Sequence, residues 1–191
     1  MIPPGAFDYR FAARRMRRRK LDEALLNAIL QIVPEGKTII DLGAGTGELV
    51  RALICQGRDA IGIDGTPEVK ALSRGVVEEH DLTTIDPGWL SRDWGIFVEV
   101  GEHIPATHNK VLLTNVAESA VDGLIVSWAP PGQRGRNHVN CRTAEWVACE
   151  FGCRGWMVNE ALTAIAREAA GPVWSQKLLI FERRYPCRSA T

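Results

Sequence analysis

Three glycines within five residues follow an apolar run in the stretch from Ile39 to Gly57, IIDLGAGTGELVRALICQG. Ordered glycine costs backbone entropy, so Gly43, Gly45 and Gly47 need a geometric reason, and the usual one is that something comes very close to the main chain. The residues before them, Thr38 to Leu42, read as a short buried strand. Those after them, Glu48 to Gln56, read as a helix closed by Gly57. Strand, glycine turn and helix place the three glycines at the carboxyl end of a first strand. Open α/β sheets bind ligands there, and the helix N-terminus offers unpaired N–H donors. A nucleotide is the natural candidate.

The rest of the chain repeats the alternation. Phe11 to Val33 has a helical apolar face through Leu21, Leu25, Ile29 and Ile32 and stops at Pro34 to Gly36. Further strands are expected at Ala60 to Ile63, Val76 to Glu79, Trp94 to Val100, Leu124 to Trp128 and Lys177 to Arg183. Helices are expected from Pro67, over Pro105 to Ala120, over Thr143 to Phe151 and over Asn159 to Ala170. Strands alternating with helices predict an open, mostly parallel sheet covered on both faces. No linker or repeat divides the 191 residues, which fit one compact domain. Within it, residues 1–36 form a basic N-terminal helix region, expected to cap the substrate side, and 37–191 the main α/β unit.

Spacing decides which nucleotide. A dinucleotide fingerprint needs glycine or alanine at its third position, where the pyrophosphate sits and helix and strand pack closely. Counted from Gly43, that position is Glu48, and a bulky carboxylate argues against a pyrophosphate. Asp41 precedes the turn, and Asp64 ends the second strand, well placed for both hydroxyls of a ribose. DLGAGTG with GIDG resembles motif I and the second-strand acid of the class I S-adenosylmethionine-dependent methyltransferases. The resemblance continues through HDL (His80 to Leu82), VEVGEHIP and LIVSWAPP, and covers most of the chain from Thr38 to Arg184.

That resemblance implies a Rossmann-like sheet of seven strands, mostly parallel, whose last strand runs antiparallel between the fourth-strand region and the sheet edge. It also implies cofactor roles. Gly43, Ala44, Gly45 and Gly47 would line the methionine and ribose moieties, with Asp41 ordering the turn or meeting the amino group through water. Asp64 would bind the ribose, Gly65 would lie beside the adenine, Asp81 and Leu82 would face its edge, and Glu99 would lie near the methionine end.

EVGEH places Glu99, Glu102 and His103 at the carboxyl end of the fourth strand, with His138 in the loop after the fifth. Carboxylates and imidazoles so spaced can converge on one divalent cation. The pattern resembles the ExxEH metal site of the small-RNA 2′-O-methyltransferases and the ubiquinone-pathway O-methyltransferases, where the metal would hold the acceptor hydroxyl. Two other readings stand beside it: His103 or His138 as a metal-free general base with Glu102 in support, or a purely structural cluster. Alternation along a strand separates Glu99 from Val100, so the chain must turn at Gly101 for Glu102 and His103 to join Glu99. The loop PPGQRGRNHVN adds Gln133, Arg134, Arg136, Asn137 and Asn140 as candidates for acceptor recognition.

Composition trims the alternatives. Lys and Arg balance Asp and Glu at 23 each, which weakens steep electrostatic binding to a nucleic acid, although Arg14, Arg15, Arg17, Arg18, Arg19 and Lys20 form a basic block. No apolar segment is long enough to cross a bilayer, and the N-terminus lacks the apolar core of a signal peptide. A cytoplasmic protein with reduced thiols is expected, its five cysteines being free. Cys149 and Cys153 share a helix face, which invites a metal reading, but buried free cysteine is a common core residue. The leading expectation is an enzyme that methylates oxygen or nitrogen on a small-molecule acceptor. An RNA 2′-O-methyltransferase with a divalent metal, and a cofactor-binding subunit without chemistry of its own, are the alternatives.

Overall fold

A computed structural model describes residues 21–85 and 91–184. The basic block, Cys187 and the first part of the expected N-terminal helix lie outside the described residues. In chain order the elements are α1 (Glu23–Ile32), β1 (Ile39–Leu42), α2 (Glu48–Cys55), β2 (Ala60–Asp64), α3 (Val69–Leu72), β3 (Val77–Glu79) and β4 (Arg92–Phe97). Then come α4 (Asn109–Glu118), β5 (Ala120–Ser127), α5 (Ala144–Gly152), β6 (Trp156–Val158), α6 (Glu160–Ala170) and β7 (Leu178–Arg183). Short 3₁₀ turns at Gly101–His103 and Ala106–His108 link β4 to α4.

The strands form one seven-stranded sheet in the order β3-β2-β1-β4-β5-β7-β6. β1 pairs in parallel with β2 and β4, β2 with β3, and β4 with β5. β7 runs antiparallel to both of its neighbours, β5 and β6. This is the expected topology, with the antiparallel strand inside the sheet. The seventh strand, β6, is an addition to the six that can be read from the sequence.

Both faces are buried, so the strands read as almost continuous apolar runs. Alternate residues serve opposite layers. Ile39, Ile96, Ile125 and Ile180 join the layer under α1, α2 and α6, while Ile40, Phe97, Val126 and Phe181 join the layer under α4 and α5. The sheet needs glycine for space at Gly123, where a Cβ would stand 2.5 Å from the Trp94 ring of the neighbouring strand.

Several boundaries differ from expectation for local reasons. Within the described residues, α1 does not run through Leu21 and Asp22. Asp22 is extended, and its carboxylate accepts from the Leu25 amide at 3.0 Å, capping a helix that begins at Glu23. β4 starts earlier and ends at Phe97, because Glu99 takes a left-handed conformation with φ 58°, which no strand accommodates. α4 begins at Asn109 after a 3₁₀ turn rather than at Pro105. No helix among the described residues is long and apolar enough to cross a membrane.

Candidate functional site

Because β1, β2, β4 and β5 are parallel, their carboxyl ends come out on one rim of the sheet. The cofactor and metal candidates expected from the sequence leave one of these strands or lie just beyond β3.

The glycine turn is built tightly against its neighbours. Gly43, Gly45 and Gly47 all have positive φ, at 81°, 58° and 77°, which bulkier residues adopt only with strain. The amides of Gly43 and Ala44 donate to the Ile63 carbonyl at 2.8 and 3.0 Å. A Cβ on Gly43 would lie 2.5 Å from Val100 Cγ2, so the turn is held against the segment that follows β4. Asp64 closes the arrangement from β2: one carboxylate oxygen accepts from the Gly45 amide at 2.9 Å and the other from the Thr66 amide at 2.8 Å. Its carboxylate therefore sits beside the turn at a fixed angle. Gly65 follows it, half-buried.

Glu48, the residue that disfavours a pyrophosphate, is fixed at the first turn of α2. It accepts from Thr46 Oγ1 at 2.6 Å and from Arg51 Nη2 at 3.2 Å. Asp41, Gly43, Ala44, Glu48, Leu49 and Val98 line a cavity of about 230 Å³. Leu21, Asp22, Leu25 and Trp174 complete it from the N-terminal side and from the segment before β7. Trp174 Nε1 donates to Asp22 Oδ2 at 3.0 Å, which ties those two segments together over the cavity.

Beyond β3, Asp81 folds its carboxylate back onto the Thr83 amide and hydroxyl, both at 2.8 Å. Leu82 points into the core, and Asn115 on α4 donates to its carbonyl and to that of Thr84, both at 2.8 Å. The loop that would flank a base is thus anchored from the helix behind it.

The second constellation divides in two. Glu102, His103 and His138 each offer a ligand atom, and these atoms lie within 4.8 Å of one another. Glu99 lies outside that cluster. Its Oε1 accepts from Ser127 Oγ at 3.0 Å, and its Oε2 pairs with Lys177 Nζ at 2.9 Å. Lys177, buried just before β7, also stands 4.7 Å over the Trp174 ring.

The turn that separates the groups differs from the one expected. Left-handed backbone falls at Glu99 rather than Gly101, and Gly101 opens the 3₁₀ turn that presents Glu102 and His103. Gly101 is needed for space: a Cβ there would meet the Trp128 ring at 2.5 Å.

His138 arrives by backbone pairing. The amides of Val139 and Asn140 both donate to the Glu102 carbonyl, at 2.9 and 3.1 Å. Buried Asn140 reinforces the bridge, its Nδ2 donating to the Gly101 carbonyl at 3.2 Å and to Asn109 Oδ1 at 2.8 Å. The two imidazoles lie with centroids 5.0 Å apart. Nδ1 of His103 faces the Asn137 carbonyl at 3.2 Å, and Nδ1 of His138 faces the Gln133 carbonyl at 3.3 Å. In the tautomer that makes Nδ1 the donor, each neutral ring carries its lone pair on Nε2.

Glu102 is fully buried, and among the described residues neither carboxylate oxygen has a partner in good hydrogen-bond geometry. Burial, with the nearby Glu99 charge second, pushes its carboxyl up to about 7; backbone amides and Lys177 pull more weakly the other way. A buried, unpartnered carboxylate is costly unless it is protonated or meets a cation. Next to two imidazoles it can do either, so the donor set fits a divalent cation.

Lys177, Ser127, Asn115 and the Trp174–Asp22 contact were not legible as functional positions. Of these, Asn115 alone left a signal, as a polar residue on the otherwise apolar buried face of its helix.

No family model matches the chain, and no curated protein is significantly similar to it. Solved structures do match. The sugar N-methyltransferase KedS8 from Streptoalloteichus sp ATCC 53650 superposes with a TM-score of 0.69 at 15% identity, covering 97% of this chain and 96% of that one. Magnesium protoporphyrin IX methyltransferase from Synechocystis PCC 6803, with bound SAH, gives 0.67 at 15% identity, covering 91% and 93%. The chain has the class I S-adenosylmethionine-dependent methyltransferase fold. The [4+2]-cyclase SpnF also matches, with a TM-score of 0.60 at 11% identity, covering 86% of this chain and 81% of that one. The fold therefore does not by itself specify methyl transfer, and the reaction must be argued from the site.

Proposed function

We propose that the protein is an S-adenosylmethionine-dependent methyltransferase acting on oxygen or nitrogen of a small-molecule acceptor. The observation that carries this reading is the glycine turn held by Asp64 on the rim of the sheet. Its three positive-φ glycines build a tight turn at the carboxyl end of β1, and Asp64 stands beside it at the end of β2. Glu48, locked by Thr46 and Arg51, disfavours a dinucleotide.

In this reading Gly43, Ala44, Gly45 and Gly47 line the cofactor's methionine and ribose, with Asp41 at the turn, and Asp64 binds the ribose hydroxyls. Gly65, Asp81 and Leu82 flank the adenine. Glu99, fixed by Ser127 and Lys177, lies toward the methionine end. The cavity lined by Asp22, Asp41, Glu48 and Trp174 suits a group carrying positive charge. Leu21, Asp22 and Leu25 border the same cavity.

Glu102, His103 and His138 would hold a divalent cation, which on binding supplies a Lewis acid that lowers the pKa of the acceptor's hydroxyl. Without it, His103 or His138 would take the acceptor's proton as a general base. The residues' shared work is positioning: they bring the acceptor in line with the sulfonium methyl and exclude water. Trp146, which packs on Trp128 at 5.5 Å and lies under Arg142 at 4.6 Å, offers a half-exposed aromatic wall for it.

Transfer of a labelled methyl group from S-adenosylmethionine tests the reading, with small hydroxyl and amine acceptors assayed beside single-stranded RNA. Label in the small-molecule fraction supports it. Label confined to RNA would instead favour the RNA enzyme, whose support here is the exposure of Arg134 and Arg136 on the loop that carries His138. Cofactor binding without transfer to any acceptor overturns the enzyme reading. Activity lost in a chelator and restored by a divalent metal selects the cation, whereas full activity in the chelator with loss in His103→Ala selects the base.

A further inference from the structure

Two carboxylates leave the end of β4, but only one of them faces the histidines. Glu99 is engaged at both oxygens, with Ser127 on Oε1 and Lys177 on Oε2. Its backbone, left-handed at φ 58°, also donates its amide to Ser127 Oγ at 3.0 Å. Glu102, three residues on, has both oxygens buried and without a well-aligned hydrogen-bond partner among the described residues, and it shares its cluster with His103 and His138. The ammonium of Lys177 therefore neutralises one carboxylate and leaves the other to a ligand.

We propose that Lys177 removes Glu99 from the cation's ligand set, leaving a three-donor site of Glu102, His103 and His138 that selects a first-row transition-metal ion over Mg²⁺ or Ca²⁺. This rests on the cation reading given above and names the ion that reading requires. The donor set is two nitrogens and one oxygen. Imidazole suits Zn²⁺, Co²⁺, Fe²⁺ and Ni²⁺, whereas Mg²⁺ and Ca²⁺ call for oxygen ligands, more carboxylates and more charge.

With Glu99 paired to Lys177, the site brings a single negative charge to the ion. A fourth, anionic donor would have made it more hospitable to a hard cation. Three protein donors also leave coordination positions for the acceptor, as catalytic sites require. Lys177 is a positioning residue in this scheme, acting on the cation through Glu99. The turn at Glu99 is part of the same device, since it aims that side chain at β5 and β7 while Glu102 turns toward the loop after β5.

Titration of the full-length chain with Co²⁺ tests this, followed by affinity and by the d–d absorption that reports the ion's ligand number. Glu102→Gln and His138→Ala should each weaken Co²⁺ at least about tenfold, as the loss of even an outer-shell partner can. Glu99→Gln should leave the spectrum unchanged and the affinity within about threefold, below that outer-shell range. Lys177→Met frees Glu99 and should alter the spectrum, and the double variant Glu99→Gln/Lys177→Met should restore it. The double variant also removes any unpaired buried charge, so a folding defect in either single variant leaves the comparison intact. Mg²⁺ should compete poorly with Co²⁺ in the wild-type chain.

Glu99→Gln weakening Co²⁺ as much as Glu102→Gln would overturn the three-donor site while leaving the cation reading in place. Failure of the wild-type chain to bind Co²⁺ at all would overturn both. A thermal shift with S-adenosylmethionine then shows whether the cofactor assignment survives.

Discussion

Burying a carboxylate without a partner raises its proton affinity, and Glu102 makes the consequence measurable in the metal-free protein. Its carboxyl moves from 4.5 up to about 7 on folding, chiefly through burial. Between those values the folded chain holds a proton that the unfolded chain has released, so stability falls as pH rises. The contribution is fully present below about pH 4.5, is lost by about pH 7 and is constant above that; its size is about 3 kcal/mol. Glu102→Gln keeps the shape and cannot ionise. In denaturant unfolding with a chelator present, the variant should lack this slope and be the more stable protein at about pH 8. Parallel pH profiles for the two proteins would show that Glu102 is not the buried acid described here. Saturating divalent cation should also abolish this fall with pH, because the bound ion replaces the proton as the carboxylate's partner and needs its ligands deprotonated.

At the scale of elements, the rim is assembled from contacts that tolerate no added atoms. Gly101→Ala would put a Cβ 2.5 Å from Trp128 Cη2 and Cζ2. That ring cannot retreat easily: its Nε1 donates to the Asn140 carbonyl, and it packs edge-on against Phe97 at 5.9 Å. The variant should lose about 1–3 kcal/mol of stability, read as a lower urea midpoint at unchanged slope. Its cation affinity should fall as well, because the turn carrying Glu102 and His103 must move. An unchanged midpoint would mean that the turn is looser than its contacts imply.

The legibility of each element follows from how local its cause is. Strands β1, β2, β5 and β7 announce themselves as apolar runs, and the glycine turn as a composition found almost nowhere else. β6 has three residues and pairs only with β7, so no period can reveal it. The left-handed Glu99 sits in the run VEV, which gives no turn signal. The grouping of Glu102, His103 and His138 could be anticipated because two of the three are adjacent and the third leaves the next strand over. The removal of Glu99 could not. It depends on Lys177, whose place beside β5 is set by the antiparallel return of β7.

For the whole molecule, the arrangement of the rim sets which nucleotide the fold should accept. From the turn after β1, through Asp64 on β2, to Asp81 beyond β3, the candidate cofactor contacts cross adjacent parallel strands. Unfolding scatters all of them. A ligand that spans them binds the folded chain alone and raises its melting temperature by mass action. At a concentration of about one hundred Kd, S-adenosylmethionine should add about 2.7 kcal/mol, or roughly 5–10 °C for a chain of this size. NAD should add little, since its pyrophosphate would have to settle where Glu48 is held by Thr46 and Arg51. Asp64→Ala should shrink the S-adenosylmethionine increment by removing the ribose anchor. It will also lower the melting temperature of the free protein, because the Gly45 and Thr66 amides lose their acceptor. The quantity that decides is therefore the increment produced by ligand, measured in each protein against its own ligand-free value. An equal increment from NAD, or none from S-adenosylmethionine in the wild-type chain, would remove the cofactor from this site. An undiminished increment in Asp64→Ala would keep the cofactor but take the ribose away from β2.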